Sequence, residues 1–184
     1  MFGLGKTEIA LDQLAEVLAN AALRPLQSPT EQDIMFQNQA AAVGLDKTRF
    51  LMEAAALQYF AVAASINTRR LSGGIKSEQA SSLMKAMVIS HHRKFHNDLP
   101  ATIQMDFLLL GLDVDDAYDF IIRRSDDYAK PENFVAAHKQ VPKLFAKLCG
   151  IPDPNDVLQR IGWSLFVIRG TIYVDTLKGL KIVE

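Results

Sequence analysis

A chain of 184 residues, 49% apolar and 22% charged, is long enough to bury about 70% of the surface its unfolded form exposes, and its ordinary composition points to neither a fibrous repeat nor a disordered tail. A formal net charge of -1 gives no global attraction to nucleic acid. The single cysteine, Cys149, excludes an internal disulfide and a multi-cysteine metal cluster within one chain, and it favours a reducing, cytoplasmic setting.

Thr7 opens the first helical pattern, with Ile9, Leu11, Leu14, Val17, Leu18 and Ala21 at three- and four-residue steps, and Arg24 and Pro25 close it. Glu8, Asp12 and Glu16 interrupt what would be the apolar run of a signal peptide, so secretion is not expected. Ser28 is placed as the next N-cap with Pro29 in the first helical position, and Glu31 and Asp33 complement the dipole before Gly44 ends the helix.

The stretch from Asp46 to Leu71 reads as a central buried helix. Asp46 caps it, Arg69 and Arg70 occupy its last turn, and Gly73 and Gly74 break the chain after it. Phe50, Ala54, Leu57, Ala61 and Ala64 form one apolar stripe, and Leu51, Ala55, Val62 and Ile66 form a second, so two packing partners are expected. Its uncharged run, Ala54 to Thr68, is fifteen residues long, whereas a membrane span needs about 20 mostly apolar ones; a core helix is expected rather than an anchor.

Ser77 begins a helix running to about Asn97, with Leu83, Met84, Met87, Val88, His91 and Phe95 on one side. Pro100 separates it from a short apolar piece, Ile103 to Leu110. An amphipathic surface helix follows over Val114–Tyr128, with an Asp-rich outer face. Pro131 opens a further segment that Pro142 should kink or split. After the joint of Gly150, Pro152 and Pro154, Asp153 caps a helix carrying Val157 to Ile168. The alternation around Ile172 and Val174, followed by Leu180 and Ile182, predicts a small C-terminal β-hairpin over 171–184; the alternative is that the last helix continues through Gly170. The expected fold is therefore a single all-α domain over 1–184, a multi-helix bundle around the central helix.

Chemistry-bearing residues are sparse. His92 and His96 stand one helical turn apart and can share a transition metal, although Arg93 occupies the place where a metalloprotease helix carries its glutamate. Met84, Met87, His91 and His138 could line a ligand site beside the central helix. Glu53, a carboxylate in an otherwise apolar helix, belongs with these candidate ligand-binding residues because burial shifts its pKa. No Glu-x-x-His pair accompanies it, so a di-iron bundle is not indicated, and no pattern names a cofactor. The aspartates at 113, 115, 116 and 119 lack the glycine a calcium loop requires at its sixth position, where Tyr118 stands.

Charge is blocked along the chain: six Lys or Arg against Glu78 between residues 69 and 97, then eight Asp against two Arg between 98 and 127. No helix-turn-helix or other nucleic-acid signature accompanies the basic block, and nucleic-acid binding is not expected. With no catalytic constellation, with charge blocks of opposite sign, and with an apolar tail from Thr171 onward that asks for cover, the sequence favours a cytoplasmic helical interaction or regulatory protein that forms a homo-oligomer. The alternative is a binder of a small apolar molecule, or a metal-dependent enzyme, with its site near His91, His92 and His96.

Overall fold

The computed structural model describes residues 6–105 and 131–183, with the backbone alone described over 131–138. In chain order the elements are β1 (Thr7–Ala10), α1 (Leu11–Gln27), α2 (Glu31–Ala42), α3 (Lys47–Leu71), α4 (Ser77–Asp98), helical residues 101–105, α5 (Pro131–Leu148), a 3₁₀ turn at Pro154–Asp156, α6 (Val157–Trp163), a π turn (Ser164–Ile168), α7 (Arg169–Lys178) and β2 (Leu180–Val183). The fold is mostly all-α, a helical bundle with one small two-stranded sheet. The amphipathic helix expected over Val114–Tyr128 lies outside the described residues.

The axis of the bundle is α3, 25 residues long and so about 37 Å at 1.5 Å per residue. Asp46 caps it as expected: Asp46 Oδ1 accepts from the Arg49 amide at 3.0 Å. Its two apolar stripes meet different neighbours. Phe50, Ala54, Leu57, Ala61 and Ala64 join a core with α2, α5 and α6 that includes Phe36, Phe145, Leu158 and Leu165, while Val62 and Ile66 join a second core with Leu14, Leu18, Leu83, Met87 and Leu177. Leu51, assigned by sequence to the second stripe, packs against the first core. By length and composition α3 is the one helix among the described residues that could cross a membrane, yet 72% of its most apolar window is buried against the rest of the fold.

Several local expectations change. Thr7 does not open a helix. Thr7–Ala10 is instead a strand that runs parallel to Leu180–Val183, pairing Thr7 with Leu180 and Ala10 with Val183. The predicted C-terminal hairpin is therefore corrected: Arg169–Lys178 is helical, and the second half of the supposed hairpin pairs with the other end of the chain. The alternation at Ile172 and Val174 misleads because burial follows helical spacing there. Arg169 and Leu177 are buried and Tyr173 half-buried, four residues apart, while Ile172 is exposed.

Pro25 does not close α1, which carries it inside and continues to Gln27. Thr30, rather than Ser28, caps α2. Its hydroxyl accepts from the Asp33 amide at 3.3 Å while Asp33 Oδ2 accepts from the Thr30 amide at 2.8 Å, a reciprocal capping box. Pro142 does not split α5, which runs continuously to Leu148. The missing amide is outweighed by burial of Val141, Phe145 and Ala146 immediately around it. The joint after α5 behaves as its sequence implies, since both carboxylate oxygens of Asp153 accept from the first amides of α6, Leu158 N at 2.7 Å and Gln159 N at 3.0 Å.

Candidate functional site

The candidate residues on α4 divide between its two faces. Met87 is fully buried in the second core, and His91, half-buried, meets the edge of Tyr59 from α3 at 4.8 Å between ring centroids and stacks on Phe95 at 6.3 Å. Burial, reinforced by the neighbouring His92, pushes the His91 pKa down to about 4, so its imidazole is neutral at physiological pH. It packs as an aromatic body.

His92 and His96 lie on the solvent side and meet, Nε2 to Nε2, at 3.0 Å. Gln104 sets their protons. Its Nε2 donates to the Leu99 carbonyl at 2.7 Å and to the His96 carbonyl at 3.0 Å, which turns its Oε1 toward His96 Nδ1 at 3.2 Å. An amide oxygen only accepts, so His96 carries a proton on Nδ1 and, when neutral, offers the lone pair of Nε2 to a donor on His92. A histidine anchored through Nδ1 has the orientation of a metal ligand, although here Nε2 is engaged by His92. Among the described residues no third His, Cys, Asp or Glu converges on the pair.

Glu53 stands elsewhere, nearer the start of α3, six residues and so about 9 Å along the axis from Tyr59. Its side chain is fully buried. Arg49 Nη2 approaches its Oε1 at 2.7 Å as an ion pair, and the same nitrogen donates to the Leu148 carbonyl of α5 at 2.8 Å. The approach is close but poorly aligned, leaving neither carboxylate oxygen with a true hydrogen-bond donor among the described residues. Burial raises the Glu53 pKa, and Arg49 offsets it only in part. Cys149, a buried free thiol, is pushed up to about 12 by burial and by the Glu53 charge, which leaves it protonated and inert. The structure thus keeps Glu53 apart from Met87, His91, His92 and His96. The side chain of His138 is outside the described residues.

Sequence reasoning missed the largest buried polar cluster. Arg169, at the start of α7, is buried and donates to Asp33 Oδ1 at 2.7 Å, to Gln58 Oε1 at 3.2 Å and to Gln32 Oε1 at 3.3 Å, joining α7 to α2 and α3. Gln58 in turn contacts the Tyr173 hydroxyl. Burial alone would push the Asp33 carboxyl up, but the Thr30 hydroxyl and amide together with the Arg169 guanidinium outweigh it and hold Asp33 below its usual range. Burial raises the Tyr173 hydroxyl, which stays protonated. These groups satisfy one another and tie α7 to α2 and α3, which fixes helix register. Thr30-x-x-Asp33 was the only part of it visible as a local pattern.

An open cleft lies between α3 and α4, 410 Å³ in volume, with Ile66, Ala80 and Met84 as its apolar lining. Met84, one of the sequence-selected ligand residues, lines this cleft. Comparison of the chain with models of protein families, with curated proteins and with solved structures returned no match.

Proposed function

We propose that the chain is a cytoplasmic helical interaction module that associates with a second copy of itself through the outer face of its terminal helix. One observation carries this reading: Trp163, Ile168 and Ile172 keep 48%, 40% and 57% of their surface exposed along the α6–α7 helical path. Single exposed apolar residues are ordinary. Three large ones on one helix, including the only tryptophan, have the composition of an interface centre. Flanking charge does not oppose self-contact, because Lys178 already pairs with Asp175 at 2.7 Å. A buried free thiol suits the reducing compartment of the proposal.

The apolar tail supports it less than its sequence implied. Leu177 is buried in the second core, and Leu180 and Ile182 pack against it, so most of the tail is covered by its own chain. The contact is assigned to the helix before it. Sedimentation velocity across a concentration series tests the reading: the native chain shifts from monomer to dimer, and Trp163→Glu or Ile172→Glu keeps it monomeric with its melting temperature unchanged. A native chain that stays monomeric at every concentration discards it.

A second reading, a transition-metal-dependent protein, is favoured by the His92–His96 contact and its Gln104 anchor. Elemental analysis of purified protein separates the two. Stoichiometric zinc, copper or nickel that is lost in His96→Ala supports the second reading, and its absence, with no uptake from added zinc, removes it.

A further inference from the structure

The cleft between α3 and α4 has a polar rim of one sign. Both helices pack more extensively on α1 than on each other, which leaves the space between them open. On α4 the lining residues Ser77, Ala80, Ser81, Met84 and Lys85 fall at the spacing of a single helix face, and α3 contributes Ile66, Asn67 and Arg70. Two cations and two hydroxyls thus share the rim, and no carboxylate lines it among the described residues. Asn67 Oδ1 accepts from Arg70 Nε at 3.0 Å and from Nη2 at 2.8 Å, which orients the guanidinium and leaves Nη1 without a protein partner among the described residues. Lys85 forms no ion pair among the described residues.

The start of α4 adds to this potential. Its N-cap is Lys76, whose side chain makes no capping hydrogen bond, so the free amides of the first turn are left uncapped by it; Glu78 in the same turn offsets the Lys76 charge, and the contribution that remains is the positive end of a 22-residue helix dipole. Ser77, the first residue of that turn, lines the cleft.

We propose that this cleft binds a small phosphate monoester with a short apolar body. With two cations and two hydroxyls on the rim and no carboxylate among them, the lining favours an anion, and the double charge and three terminal oxygens of a phosphate engage both cations more fully than the single charge of a carboxylate. The apolar lining of Ile66, Ala80 and Met84 covers the organic part, and the volume is that of a small-molecule site.

Titration of the full isotope-labelled chain with phenyl phosphate, followed by amide NMR, tests the assignment. Saturable shifts centred on residues 66–70 and 77–85 are expected, with a Kd below about 1 mM. Inorganic phosphate, which lacks the body, binds about tenfold more weakly, and benzyl alcohol, which lacks the charge, shows no saturable shift. Arg70→Gln and Lys85→Gln each weaken phenyl phosphate about tenfold, whereas Lys94→Gln, a cation of the same helix outside the cleft, leaves it unchanged. Benzoate binding as tightly as phenyl phosphate overturns the choice of phosphate. Absence of saturable shifts at about 5 mM phenyl phosphate, or unchanged affinity in the Arg70→Gln, Lys85→Gln double variant, overturns the site.

Discussion

His91 shows how a residue with an active-site appearance can serve packing. Its folded pKa, about 4, lies below the ordinary histidine value of 6.5, so the folded state binds its proton less readily than the unfolded chain does. Stability from the neutral ring is therefore present above pH 6.5 and lost as pH falls toward 4, by up to roughly 3 kcal/mol. His91→Phe keeps the edge contact with Tyr59 and removes the titration, so chemical denaturation curves of the variant should lack the native protein's loss between those values. Glu53 has the opposite sign. Its raised pKa favours the folded state when protonated, and its contribution falls as pH rises through that folded value. Glu53→Gln removes a buried charge with no aligned donor, while Arg49, 39% exposed, retains the Leu148 carbonyl. Melting temperatures at pH 8 should rise in the variant by the equivalent of about 1 kcal/mol, with the gain shrinking on acidification; a drop at both pH values would mean that the carboxylate has an essential partner.

At the scale of elements, the approach of α6 to α5 depends on Gly162. A Cβ there would lie 2.9 Å from Phe145 Cδ1 and 3.1 Å from its Cβ and Cγ, and Phe145 is itself fully buried. Gly to Ala in a helix ordinarily gains about 1 kcal/mol, but Gly162→Ala should instead cost about 1–3 kcal/mol, read from urea unfolding. The helices themselves were largely legible in the sequence. Asp46 and Asp153 marked starts because capping is local chemistry, and the faces of α3 followed from periodicity. What escaped was set by distance: Arg169 and Asp33 are 136 residues apart, and β1 and β2 lie at opposite ends of the chain, so neither pairing leaves a local signal. Pro25 and Pro142 were overruled for the same reason, by burial supplied from other helices. Of the candidate site, the His92–His96 encounter was readable from spacing alone, whereas the Gln104 anchor and the basic cleft required the fold.

For the whole molecule, two cores are built on either side of one helix. The sheet that joins the chain ends uses much of the tail's apolar surface internally, so the tail offers a partner less than the α6–α7 path, although Ile34, Met35, Val88 and Ile89 are exposed on α2 and α4 as well. The two proposals occupy separate residues and can fail independently. Self-association rests on Trp163, which is both the centre of the proposed contact and the chain's only tryptophan. Its fluorescence emission across a dilution series of the native protein is the most direct measurement. The account predicts a blue-shifted, quencher-protected spectrum at high concentration that moves to the red on dilution, a shift absent in Ile172→Glu; a red, quencher-accessible spectrum at every concentration would contradict it.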